Sequence, residues 1–282
     1  MDAAPRISAP RVVTTRRKGF AGDLADALAD LAAAVTRPRL WAALAFHDIA
    51  AKYRGSILGP FWITGTTAAF VLGVGVLYAQ LFNQPLDKYI PWLGVGIVLW
   101  TYFATCIVEG CETFISSAGI IKQTALPMFT FLFRTVTRNL IVLAHQLVVI
   151  VAVLAWFGLL GRMEPLYALA GFALATLNIV WMALVAGVIS TRFRDVPQIV
   201  GAVLQVLLFM TPVFWRPEAI SSHRFVLSAN PLYHLLEITR RPLMGEVAPA
   251  NAWVASALLA VAGWAVALLL FAVTRRRVVH YL

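Results

Sequence analysis

From Ile57 to Phe82 the chain carries no charged side chain. A helix of about 20 mostly apolar residues crosses a bilayer. Lipid offers no partner to backbone amides, so only helices and closed barrels span it. Five further stretches read the same way: about Ile90 to Val108, Asn139 to Leu160, Leu166 to Ser190, Val196 to Trp215 and Ala252 to Thr274. A barrel would show many shorter, alternating segments, and that pattern is missing. The expected fold is all-α, a polytopic membrane protein with six transmembrane helices over residues 57–275. Composition agrees: 61% of residues are hydrophobic and 13% charged, against nearer one half and one quarter in a soluble domain.

The net charge of +10 forms no single basic face. The cations sit in blocks between apolar runs, which argues for membrane topology and against a nucleic-acid partner. Arg6, Arg11, Arg16, Arg17, Lys18, Arg37, Arg39, Lys52 and Arg54 precede the first run. Lys122, Arg134 and Arg138 follow the second, Arg192 and Arg194 follow the fourth, and Arg275, Arg276 and Arg277 follow the sixth. The intervening loops hold only Lys88, Arg162, Arg216, Arg224, Arg240 and Arg241. The richer side is expected to be cytoplasmic, so both termini, including a short tail at 276–282, are expected there.

Residues 1–20 are rich in Arg, Pro and Thr and read as a disordered cytoplasmic tail. They lack an early apolar core, so no cleavable signal peptide is expected. Residues 21–56 read as cytoplasmic amphipathic and interfacial helices. Leu24, Leu28 and Leu31 share one face, and Asp23, Asp26 and Asp30 the other. An acidic face is not drawn to anionic lipid, so this helix is expected to pack on protein. Trp41 is available as an interfacial anchor. In "KYRGSILGPFW", Gly59 and Pro60 allow an interfacial helix to turn into a spanning one.

The chemistry is defined partly by what is missing. No G-x-x-x-x-G-K-[ST] phosphate loop occurs, and neither His-Glu-x-x-His nor Gly-x-Ser-x-Gly is found. No catalytic residue, metal site or cofactor is expected on this chain. Cys106 and Cys111 lie five apart on one helix, so they point apart and no disulfide is expected. His145 reads as a histidine satisfied by a neighbouring helix. Glu109 and Glu112 read as partners of the following loop or the N-terminal helix. No Asp or Glu stands at mid-depth of a span, so the energy source is expected outside the chain. Aromatic residues gather near span ends, as an interfacial belt or as a track on which sugar rings stack. Between the fifth and sixth spans, about 216–250, prolines divide a segment too polar to span and too apolar to hang free. It reads as short re-entrant helices, which need a protein or water cover.

"DIAAKYRGSILGPFW", "GIIKQTALPMF", "STRFRDVPQIV", "FMTPVFW" and "NPLYHLLEITR" together resemble the membrane subunit of bacterial polysaccharide-exporting ABC transporters, the exporters of O-antigen, teichoic acid and capsule-like glycans. The resemblance implies a homodimer with a channel between the copies, in the bacterial cytoplasmic (inner) membrane. It implies two copies of a separate ATP-binding cassette subunit, which hold the ATP and Mg. The substrate it implies is a polysaccharide on a polyprenyl diphosphate carrier. Phe61, Trp62, Tyr102, Phe103 and Trp215 are then candidate channel lining. Lys52 and Arg54 are candidate entrance cations for the carrier phosphates. Lys122, Arg192, Arg194 and Asp195 are candidate coupling residues. A permease for a drug or small lipid, and a membrane-embedded glycan-lipid transferase, stand as alternatives.

Overall fold

The computed structural model describes residues 19–219 and 224–282, so the tail expected at 1–20 lies almost wholly outside the described residues. Every regular element among them is helical. The chain runs α1 (Phe20–Val35), α2 (Pro38–Lys52), α3 (Phe61–Leu81), α4 (Leu86–Ser116), α5 (Ala118–Gln123), α6 (Phe129–Trp156), α7 (Pro165–Arg192), α8 (Val196–Met210), α9 (Arg224–Ala229), α10 (Pro231–Leu243) and α11 (Ala250–Tyr281). Among the described residues, five helices are long and apolar enough to cross a membrane: α3, α4, α6, α7 and α11. The remaining apolar run, expected to span from Val196 to Trp215, forms the 15-residue α8. At 1.5 Å per residue it reaches about 22 Å, short of the roughly 30 Å hydrocarbon core. The chain leaves the helix at Thr211 and turns through Pro212 and Val213.

The α4 helix is the axis. Its apolar run is mostly buried, apart from a partly exposed stripe at Ile97, Thr101, Ala104, Thr105 and Val108, and it packs against α3, α6, α7, α8 and α10. Small residues let α7 come close. A Cβ on Gly110 would fall 2.6 Å from Ala183 Cβ, and one on Gly187 would fall 2.7 Å from the Gly110 carbonyl. Ala183 and Gly187 stand one turn apart, the small-xxx-small spacing that lets membrane helices touch backbone to backbone. The helix reaches past the expected Val108, and α6 starts before the expected Asn139. Both extensions carry charge: Glu109 on α4, and Arg134 and Arg138 on α6. Glu109 pairs with Arg138, and Arg134 and Arg138 both pair with Asp48 of α2.

Both described ends of the chain lie at one end of the bundle, where α1 packs on α11 and α6, and α2 packs on α6. As expected, α1 covers protein, but with a different face. Ala27, Asp30 and Ala34 are buried, while Leu28 is 47% exposed. Asp30 therefore points inward, contrary to the expected acidic outer face. Partners inside the protein compensate its burial. At the opposite end, α9 and α10 occupy the segment read as re-entrant. The α10 helix wedges between α4, α7 and α11, and no side chain fits between it and Gly171 of α7, where the Ile238 carbonyl blocks any Cβ.

Candidate functional site

At the termini end, the first group of charges begins with Asp48 on α2. Its carboxylate accepts from Arg134 Nε at 2.7 Å and Nη2 at 2.5 Å, and from Arg138 Nη1 at 3.1 Å. Arg138 Nη2 reaches Glu109 on α4 at 2.8 Å, and Asn139 Nδ2 donates to the same Glu109 oxygen at 2.6 Å. Three helices are thus tied by one chain of charge-assisted bonds. Burial alone would raise the Asp48 carboxyl, but Arg134 and Arg138 outweigh it and hold it below its ordinary value. A depressed carboxyl stabilises the fold above its unfolded value of about 3.9 and loses that contribution as pH falls through the folded value. Asp48→Asn is therefore expected to cost about 1–3 kcal/mol at pH 7, seen as a lower melting temperature in detergent. The gap to the parent protein should close as the melts are taken below pH 4. A gap independent of pH would count against the pairing.

The second group centres on Asp30. Oδ1 accepts from the Phe129 amide and Oδ2 from the Met128 amide, both at 3.1 Å. Arg275 Nη2 of α11 lies 3.0 Å from Oδ2. The first turn of α6 follows Leu126-Pro127-Met128 and has no local capping side chain. Its orphan amides and positive dipole end take their acceptor from α1 instead. Sequence reading missed this role. A helix start with no Ser, Thr, Asp or Asn before it was the available signal.

The approach to α3 is a break, as the Gly-Pro step led one to expect. Gly55 and Gly59 have φ of +79° and +52°, the left-handed region that glycine reaches at little cost. The Gly59 amide donates to Ser56 Oγ at 3.0 Å, and α3 begins one residue after Pro60. Lys52 and Arg54 are exposed on this break. Phe61 and Trp62 follow, 63% and 56% exposed. Phe61 meets the His145 ring edge-on at 5.9 Å. His145 itself is satisfied within its own helix, by the Ile141 carbonyl at 2.8 Å, rather than by the neighbouring helix expected. Trp41, read as a lipid anchor, donates to the Ala34 carbonyl at 3.2 Å and packs on Phe133, so it pins the α1–α2 corner to α6.

The other named residues separate into distinct regions. Tyr102 and Phe103 are buried inside α4's own packing, with Tyr102 Oη 3.3 Å from Thr176 Oγ1. Trp215 lies at the opposite end, its indole N–H donating to the Phe209 carbonyl at 2.9 Å. Lys122 is exposed on α5, which packs against α4 and α11. Arg194 Nη2 donates to the Tyr281 carbonyl at 3.1 Å, and Arg192 Nη1 lies 3.4 Å from Tyr281 Oη. Asp195 is the exposed residue before α8 and accepts the Gln198 and Ile199 amides through its backbone carbonyl rather than its carboxylate. These coupling candidates share the termini end. Cys106 and Cys111 are buried free thiols.

At the far end a buried ionic cluster holds α10. Arg240 is wholly buried, bonds Glu237, and donates to the Pro212 carbonyl at 2.7 Å. Its guanidinium lies 3.3 Å from the centre of the Trp92 ring, a desolvated cation–π contact. Arg241 Nε bonds the other Glu237 oxygen at 2.5 Å. Tyr89 Oη donates to the Phe214 carbonyl at 2.6 Å, so the turn after α8 is fastened to α4. Residues 39–244 match the family described as ABC-2 type transporter.

The chain belongs to the ABC-2 type transporter family. It is the membrane subunit of an ABC transporter, a multi-pass transport protein whose ATP hydrolysis belongs to an ATP-binding cassette partner. The ABC-2 match begins in α2 and ends just after α10, so it takes in the approach segment, the α5 region and the far-end cluster. It leaves out α1 and α11. The O-antigen export system permease protein RfbA of Myxococcus xanthus is 24% identical over 200 residues, covering 67% of this chain and 74% of that protein.

Proposed function

We propose that the chain is the membrane half of an exporter that moves a lipid-linked polysaccharide across the bacterial cytoplasmic membrane, with the termini end in the cytoplasm. The observation that carries this reading is the order along the approach to α3: two exposed cations, a break, then two exposed aromatic rings. A diphosphate would be held by Lys52 and Arg54, and sugar faces would stack on Phe61 and Trp62. The name of the Myxococcus xanthus relative points to the same substrate class. Two copies would form the pathway between them. The two least-buried membrane helices, α3 and α8, flank α4 and would face the partner copy. Lys122, Arg192, Arg194 and Asp195 would meet the ATP-binding subunits, which carry ATP and Mg.

Deleting the gene in its own cell tests the reading. The expected result is loss of surface polysaccharide together with accumulation of polyprenyl-diphosphate-linked glycan inside, reversed by the intact gene. Unchanged surface polysaccharide with altered sensitivity to drugs would overturn the substrate and leave the transporter class standing.

A further inference from the structure

We infer that Asp30 is a positioning residue for coupling: through it α1 joins the entry of α6 to the end of α11, so that a displacement of the α5–α6 loop moves both membrane helices together. The inference rests on the reading that the ATP-binding partner docks at α5.

Three elements distant in sequence meet on one carboxylate. Its side chain is 1% exposed and takes donors from Met128, Phe129 and Arg275. Arg275 is held along α1 as well, by a bond from Nη1 to the Asp26 carbonyl at 3.1 Å. Around this node the apolar contacts repeat the same connections. Ala27 and Ala34 of α1, Phe129 of α6, and Phe271 and Val278 of α11 share one buried cluster, with the Phe129 and Phe271 rings 4.9 Å apart. Ile121 of α5 and Leu282 pack on the same cluster. Beside the carboxylate an open cleft of about 350 Å³ is lined by Ala33, Ala125, Leu126 and Pro127, so the α5–α6 loop borders the node at the surface.

A buried ionic node is a weak source of stability, since an apolar replacement of similar volume often serves as well. It does fix geometry, because three donors on one carboxylate leave it a single arrangement. The α1 and α11 sides of the bracket lie outside residues 39–244, which match the ABC-2 family, and the α6 side lies within them. Motion at α5 reaches α6 directly through a five-residue connection. It reaches α11 by contact with α5, but the node is what makes α11 move as one body with the entry of α6.

The test is hydrogen exchange on the full complex with its ATP-binding partner, reconstituted in lipid nanodiscs and compared between ADP and ATP–vanadate. In the parent complex the nucleotide is expected to change exchange at residues 118–128 and also at 270–282. Asp30→Ala should keep the change at 118–128 and reduce that at 270–282 by about fivefold or more, the scale of an ordinary coupling between sites. Arg275→Gln keeps both amide bonds and loses the ion pair, so its reduction should be smaller and in the same direction. It decides the matter alone if Asp30→Ala does not assemble. A parent-like change at 270–282 in the assembled variants would overturn the inference. Silence at 118–128 in the parent complex would overturn the docking reading on which it rests.

Discussion

Arg240→Ala is expected to leave almost no folded chain in the membrane. The guanidinium is wholly buried, between Glu237, the Pro212 carbonyl and the Trp92 ring. Its loss strands a carboxylate that is itself wholly buried, with only Arg241 to balance it. Removing one member of such a pair costs about 3–5 kcal/mol, a large part of a typical total stability of 5–15 kcal/mol. Glu237→Gln should fail in the same way, since it leaves the Arg240 charge buried without a counter-ion. The double variant Glu237→Leu with Arg240→Met should regain part of the loss, because it removes both charges and keeps the volume. Chain level by immunoblot and dispersity on size exclusion report the outcome. Normal levels and an unchanged melting temperature for Arg240→Ala would sink this account of the far end.

The effect should spread because α10 holds the turn after α8. Pro212 receives its bond from Arg240, Thr211 Oγ1 accepts from Asn230 Nδ2 at 2.8 Å, and Asn230 Oδ1 caps the start of α10. Without Arg240 the 211–215 turn loses its bond at Pro212. The α8 helix, too short to cross the hydrocarbon by itself, is then held at that end only through Tyr89, Trp92 and Asn230.

What could be read in the sequence depended on whether a property was local. The long apolar runs are local, and α3, α4, α6, α7 and α11 followed from them. So did the break at Gly59-Pro60, because those two residues act through their own backbone. Charge at a helix end was not legible in the same way. Arg134 and Arg138 read as a loop because the pattern shows a cation without showing Asp48 or Glu109 beside it. Asp30 read as solvent-facing for the same reason, since its donors lie about a hundred residues and more further along the chain. Aromatic residues posed a third problem. Tyr102 and Phe103 sit in a helix apolar on all sides, so no periodicity separates a ring inside the protomer from one on its surface. Phe61 and Trp62, next to a charged break, were the easier case, and they are the exposed pair.

Replacing Phe61 and Trp62 together by alanine is therefore expected to cut export about tenfold while leaving the chain at its normal level. The α3 helix packs through Val71, Gly75 and Ala79, a stripe that repeats every four residues and excludes both rings. The rings contribute little to burial at 63% and 56% exposure, so their loss should not unfold the helix. If sugars stack on them, two contacts of about 0.5–1.5 kcal/mol each amount to about one to two factors of ten at 1.4 kcal/mol per factor. Exchanging the two residues, Phe61→Trp with Trp62→Phe, keeps both aromatic faces and should preserve most of the export. The measurement is surface polysaccharide normalised to chain level, read beside the ATPase activity of the purified complex. Full export by the double alanine variant at normal chain level would place these rings against lipid and take them off the pathway. Loss of export with parent-like ATPase activity would separate the path for the glycan from the coupling machinery at α5.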